Sequence, residues 1–248
     1  MPDFATALPT TPIDSAAIGV IVPYDFALDR EIWRWVPPSV TLHLTRTSYA
    51  AVPVGVTQAL LVGDPAEIAE LARNVSVVGP QVALYLCTAG SFARGRGGER
   101  ELREAMTSSG IPLAVTTSGA LLESAATLGI DRIAIATPYD DVVTDLLAAY
   151  LEAAGLTVTG RSRLGLTGGI WRLTHREVAD LVRDAVSASE RADAVFVSCT
   201  NVRTYDLVGP LERELGMPVI TANQVSMWAA LRALGLSANG DGRLCASS

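Results

Sequence analysis

Two stretches constrain this chain more than any others. They are Val82-Ala83-Leu84-Tyr85-Leu86-Cys87-Thr88 and Ala194-Val195-Phe196-Val197-Ser198-Cys199-Thr200. Each is an apolar or nearly apolar run that ends in Cys-Thr and gives way to a polar turn. A buried parallel strand reads this way, and open α/β sheets place ligands at the C-terminal ends of such strands. Two of the three cysteines thus stand at matched positions and read as a facing pair of catalytic thiols. Burial as a small apolar residue is the common fate of any single free cysteine. Matched placement argues against that fate for both.

The rest of the chain alternates strands and helices. Strands are expected at 17–22, 40–47, 113–116, 132–136, 156–160 and 219–221, besides the two cysteine runs. Helices are expected at 25–35, with Asp25 or Asp29 near its start, and at 53–62, 66–75, 99–109, 120–128, 141–154, 178–188, 207–215 and 225–234. Asp64-Pro65 caps one helix and Gly129 ends another. Thr174 and Glu177 form a capping box. Arg94-Gly95-Arg96-Gly97-Gly98 reads as a flexible basic loop, without dinucleotide or Walker-type spacing. His43 falls inside a strand and His175 in a first helical turn, and neither is placed in the chemistry.

The order of elements repeats. Residues 17–24 and 133–140 are each an apolar strand followed by Pro-Tyr or its equivalent, with Asp25 and Asp140 next. The cysteine strands match, and so do Ile111-Pro112-Leu113 and Met217-Pro218-Val219 with the helices that follow. The expected fold is therefore α/β: two pseudosymmetric domains, each a short parallel sheet flanked by helices, with the active site in the cleft between them. The first domain is assigned to 17–116 plus 223–235 and the second to 117–222. Residues 1–16 and 236–248 are read as flexible termini, with Cys245 inert in the second.

Composition narrows the partners. A net charge of −7 without a Lys or Arg run argues against a nucleic-acid surface. No apolar stretch reaches membrane-spanning length. The first sixteen residues lack the basic n-region of a signal peptide. Three cysteines without close spacing make no disulfide framework, so a reducing, cytoplasmic setting is expected. The expected partner is a small-molecule carboxylate, with no nucleic acid and no membrane; a homo-oligomer is left open.

Two thiols across one cleft can take a proton from one face of a carbon acid and return it on the other. An enediolate formed next to a carboxylate needs preorganised donors. Amides of Thr88, Ala89 and Thr200 and hydroxyls of Thr88, Thr117, Ser118 and Tyr139 are of the right kind. A helix N-terminus after each cysteine strand is expected to lower the thiol pKa.

These residues resemble the aspartate/glutamate racemase superfamily, in its maleate isomerase and arylmalonate decarboxylase branch. The resemblance covers about residues 17–235. It rests on Cys87-Thr88-Ala89-Gly90-Ser91-Phe92, Ala136-Thr137-Pro138-Tyr139-Asp140-Asp141, Leu164-Gly165-Leu166-Thr167-Gly168 and Ser198-Cys199-Thr200-Asn201. It implies a cofactor-independent enzyme with catalytic Cys87 and Cys199, no metal, and substrate held by Thr88, Ala89, Tyr139, Thr200 and Asn201. Thr117, Ser118 and Arg172 complete the expected binding set. Decarboxylase members keep only the second cysteine; both are present here, as in racemases and maleate isomerases. The chain departs from maleate isomerases at Pro23-Tyr24-Asp25-Phe26-Ala27, where they carry an Asn. Arg172 falls near a position that faces an aryl group in the decarboxylases, and reads either as a cleft cation or as a solvated loop residue. The Pro-Tyr-Asp-Phe and Ile-Trp-Arg-Trp stretches also resemble members found beside ectoine-degradation genes.

The reading is an isomerase: a racemase or epimerase of an amino-acid-like carboxylate, or a maleate-type cis–trans isomerase in which one cysteine adds to the double bond. The alternatives are an arylmalonate-type decarboxylase and a non-catalytic small-molecule-binding protein on the same scaffold. A disulfide oxidoreductase lacks its Cys-X-X-Cys.

Overall fold

The structure, a computed structural model, describes residues 16–247. Its first half runs β1 (Ala16–Val22), α1 (Asp29–Trp35), β2 (Val40–Arg46), α2 (Val56–Val62), α3 (Pro65–Ser76), β3 (Val82–Tyr85), α4 (Thr88–Phe92), α5 (Gly95–Thr107), β4 (Leu113–Thr116) and α6 (Thr117–Leu128). The second half runs β5 (Arg132–Thr137), α7 (Asp141–Glu152), β6 (Thr157–Arg163), α8 (His175–Ser187), β7 (Ala194–Val197), α9 (Val208–Leu215), β8 (Val219–Thr221) and α10 (Ala222–Ala233). A short 3₁₀ turn, Ile170–Arg172, precedes α8.

Two parallel four-stranded sheets result, in the orders β2-β1-β3-β4 and β6-β5-β7-β8. The cysteine strands β3 and β7 occupy the same third place. Every residue of both is buried, because helices cover both faces of a parallel sheet. That double burial explains why their sequences are continuous apolar runs instead of alternating ones. The last helix of each half packs on the other, α6 against α10, and α10 also reaches β3 and β4 of the first sheet.

Local chemistry sets the helix ends. Asp64 accepts from the Ala66 N–H at 3.0 Å with Pro65 at the first helical position. Thr174 and Glu177 complete the capping box, and Gly129 ends α6 at φ 65°. At Gly160 on β6 a Cβ would lie 2.4 Å from the Ala185 carbonyl oxygen. Glycine there lets α8 sit directly on the strand.

Three expectations are corrected. The basic stretch 94–98 is not a loop: α5 starts at Gly95, and Arg94 reaches back to the Leu60 carbonyl at 3.1 Å. The amphipathic pattern that buries Leu102 and Met106 carries the helix one turn further back than its glycines suggest. Helix α1 starts at Asp29, not Asp25. Finally, the tail beyond Gly235 packs onto the protein as far as Cys245. Leu244 is fully buried, the Asn239 N–H donates to the Trp35 carbonyl at 2.8 Å, and the Arg243 N–H donates to Glu212 at 2.9 Å. The expected leader 1–16 lies outside the described residues except for its last position, Ala16, which is already in β1. Among the described residues, no helix is long and apolar enough to cross a membrane.

Candidate active site

The C-terminal ends of β3 and β7 meet at one small cavity of about 30 Å³, space for about one or two waters. Cys87, Thr88, Ala89, Tyr139, Cys199, Thr200 and Asn201 all line it, together with Pro23, Asp25, Val54, Gln58, Val143 and Ile170. Both cysteines are free thiols.

The two thiols are held differently. Cys87 is extended at φ −151° and caps α4, its sulfur accepting the Gly90 N–H at 3.4 Å. Glycine is required at 90 because a Cβ there would lie 2.1 Å from the Tyr85 hydroxyl and 3.2 Å from the Cys87 sulfur. Cys199 has φ +84°, the one non-glycine residue with positive φ among those described. Such a conformation costs about 1–3 kcal/mol and persists where its surroundings hold it. They do so here. The Ser198 N–H donates to Ala136, Asn223 Nδ2 donates to the Thr200 carbonyl at 3.0 Å, and Val202 closes the turn onto the Cys199 carbonyl.

Burial pushes both thiols up, Cys87 to about 11 and Cys199 to about 12. The Tyr139 hydroxyl and the Asn201 N–H pull Cys199 the other way, and a charge on Cys87 or Asp25 adds to the rise. The expected lowering by a helix N-terminus is present only at Cys87, where the Gly90 N–H at the start of α4 lowers the value, and burial outweighs it. Helix α4 has five residues, and no helix directly follows Cys199, since α9 starts at Val208. Tyr139, also buried, is held well above the usual phenol value by desolvation, so its hydroxyl stays a donor. Thr88 lines the cavity, and its Oγ1 is buried without a hydrogen-bond partner. A buried hydroxyl left unpaired is costly, and a bound acceptor would satisfy it.

Three expected binding residues lie elsewhere. Thr117 and Ser118 are fully buried behind the wall. Thr117 receives the Ser226 hydroxyl at 2.9 Å and donates to the Tyr85 carbonyl at 3.3 Å, while Ser118 meets Ser91 at 2.5 Å and the Thr88 carbonyl at 3.3 Å. They position β3 and Thr88. Arg172 is exposed on the 3₁₀ turn and does not line the cavity. Asn201 lines the cavity, but its side chain is spent on the β1–α1 loop, accepting from the Ala27 N–H at 2.9 Å and donating to the Asp25 carbonyl at 3.1 Å.

Two carboxylates to which the sequence assigns no site role stand at or behind the cavity. Asp25 lines the cavity and receives Gln58 Nε2 at 3.3 Å; burial raises its pKa. Glu31 on α1 is buried at the seam between the halves. It accepts the Thr204 N–H at 3.1 Å and Asn223 Nδ2 at 3.1 Å, so it also orients the group that holds Thr200. The repeated Pro-Tyr-Asp is used differently in each half. Tyr139 faces the thiols while Asp140 caps α7; Asp25 faces them while Tyr24 turns to an outer groove. Among the described residues, no group of three or more His, Cys, Asp or Glu is placed to hold a metal.

A two-sheet α/β scaffold brings two free cysteines to one cavity, and the comparisons with known proteins support a cysteine-dependent enzyme acting on a small carboxylate. The chain belongs to the arylmalonate decarboxylase family, whose model matches residues 61–245. It is 34% identical over 183 residues to the arylmalonate decarboxylase of Bordetella bronchiseptica, covering 71% of this chain and 76% of that one. It is 29% identical over 185 residues to the maleate isomerase of Nocardia farcinica, covering 69% and 71%. A solved structure of the Nocardia farcinica maleate cis–trans isomerase, a variant with a covalently bound succinylcysteine intermediate, superposes with a TM-score of 0.83 at 24% identity over 94% of this chain and 99% of that one. That likeness shows the shared fold.

Proposed function

We propose that the protein is a cofactor-independent isomerase in which Cys87 and Cys199 act as a pair on the α-carbon of a small carboxylate, racemising or epimerising it. The observation that carries this reading is that both free thiols line one cavity beside Tyr139 and the unpartnered Thr88 hydroxyl. The substrate carboxylate accepts from Thr88 and Tyr139. One cysteine, as thiolate, takes the α-proton, and the electron pair moves into the carboxylate to give an enediolate. The other cysteine, as thiol, returns a proton to the opposite face. Substrate and product share a formula, and the two thiols exchange protonation states. Donors aimed at the developing enediolate charge are what accelerates such a step.

A second reading is favoured by the succinylcysteine named for the Nocardia farcinica relative: addition of one cysteine to a cis unsaturated diacid, rotation, and elimination. One experiment separates the two. The enzyme is incubated in deuterated water with candidate carboxylates and followed by proton NMR and intact mass. Proton abstraction predicts loss of the α-proton signal with racemisation, and Cys87→Ser and Cys199→Ser each abolish racemisation. Addition predicts a covalent mass increase on one cysteine. Wild-type turnover in both serine variants would refute the paired-thiol reading.

A further inference from the structure

A second, larger cavity of about 340 Å³ adjoins the thiol cavity. The two share three lining residues, Asp25, Val54 and Gln58. These form the partition between the small chamber that holds the thiols and the groove outside it. The chamber has space for about one or two waters. A substrate whose carboxylate enters beside Cys87 and Cys199 therefore extends past this partition, and its far end meets Asp25.

We propose that Asp25 is a specificity-determining residue that binds a cationic amino group of the substrate, which makes the substrate class an amino carboxylate and not a dicarboxylate. This rests on the thiol cavity being the reaction site, as set out above. Four observations support it. Asp25 is the single charged side chain lining either cavity; among the described residues no Lys, Arg or His lines one. A second carboxylate would thus have no counter-ion and would face a carboxylate instead. The Asp25 side chain is lightly compensated, with one 3.3 Å bond from Gln58 besides its own backbone, so it retains capacity for a further donor. The outer groove adds Tyr24, Tyr49 and Trp171; Tyr24 and Tyr49 meet edge to face at 5.3 Å. Aromatic faces attract cations and not carboxylates. Lastly, an ammonium at Asp25 would cancel the charge that opposes ionisation of both thiols, whereas a second carboxylate would add to it.

The test uses the full-length protein and its Asp25→Asn variant, which keeps shape and removes charge. Binding of 4-aminobutyrate, butyrate and succinate is measured by calorimetry, and α-proton exchange of 2,4-diaminobutyrate, ornithine, aspartate and glutamate by NMR in deuterated water. The wild type is expected to bind 4-aminobutyrate about tenfold or more tighter than succinate. Asp25→Asn should lose that preference while its affinity for butyrate changes little, and should raise KM for the diamino acids. Tighter binding of succinate by the wild type, an unaltered preference in Asp25→Asn, or no binding of any amino carboxylate overturns the proposal. Exchange absent for every substrate, with the binding preference intact, sinks the proton-transfer reading and leaves the Asp25 subsite standing.

Discussion

The resting thiols offer the sharpest test of the site as described. Cys87 is pushed up to about 11 and Cys199 to about 12, both chiefly by burial. An unperturbed cysteine near 8.5 is about 3% thiolate at pH 7, whereas a thiol near 11 is about 0.01% and one near 12 about 0.001%. Thiolate fraction alone then slows alkylation by about 300-fold and 3,000-fold. The more basic thiolate is more nucleophilic, with a Brønsted slope of about 0.4–0.5, so the net slowing at pH 7 is about 20- to 100-fold. The assay is iodoacetamide labelling followed by intact mass, in Cys245→Ala variants that keep only Cys87 or only Cys199. The logarithm of the rate should rise by about one per pH unit from 7 to 10, with no plateau. A stability change has the matching sign. A thiol whose folded pKa is raised stabilises the fold fully below the unfolded value near 8.5–9, and that contribution is lost as pH rises through about 11–12. Labelling is therefore read below pH 10. A plateau with its midpoint below about 8.5 would refute the claim that burial governs these thiols, and would restore helix-terminus activation as the dominant effect.

Replacing Tyr139 with Phe removes one donor beside Cys199 and should lower turnover by about 10- to 1,000-fold; an unchanged rate on the true substrate takes Tyr139 out of the chemistry. Glu31→Gln puts an amide where the Thr204 N–H and Asn223 Nδ2 need acceptors. It should cost about 1–3 kcal/mol of stability, read as a fall in Tm of about 2–10 °C, and should lower kcat more than it raises KM. A melting temperature equal to that of the parent would show that Glu31 does not hold the seam.

The sequence made the sheets legible because of a simple physical fact. Strands covered on both faces must be apolar throughout, and both Val82–Tyr85 and Ala194–Val197 are buried at every position. Caps were legible for a similar reason, since Asp64, Thr174 and Glu177 bond to backbone groups only two or three residues away. What failed depended on distant neighbours. Asp25 looked like the start of a helix, yet that helix begins at Asp29 and leaves Asp25 on the cavity. Nothing within the local window distinguishes an acid that caps from one that faces a cleft, as Asp140 and Asp25 show in the same Pro-Tyr-Asp setting. Thr117 and Ser118 looked like cleft donors, but contacts with Ser226 and Ser91, more than a hundred and about thirty residues away, turn them inward. The tail looked disordered because it is short, polar and glycine-containing. Its anchors are the buried Leu244 and the backbone bonds of Asn239 and Arg243 to Trp35 and Glu212, which only the tertiary fold reveals.

The duplicated architecture does not make the two thiols alike, and racemisation does not require it to. Substrate and product of a racemase are mirror images of equal free energy, so the equilibrium constant is unity. The ratio kcat/KM must then be the same in both directions, however different the two bases are. Unequal thiols alter kcat and KM separately, and leave that ratio intact. The pseudo-twofold is therefore needed only to bring two strand ends to one cavity, which the shared third places of β3 and β7 accomplish. Beyond that point each half is free to diverge. One exit became an extended cap on a five-residue helix, and the other a positive-φ turn held by Asn223 and Ala136. The same Pro-Tyr-Asp supplies a hydroxyl donor from one half and a carboxylate from the other. A symmetric pair of tyrosines or aspartates would present the same chemistry to both ends of a substrate. A hydroxyl donor on one side and an anion on the other suits, under the proposed reaction, a molecule that is itself asymmetric in charge.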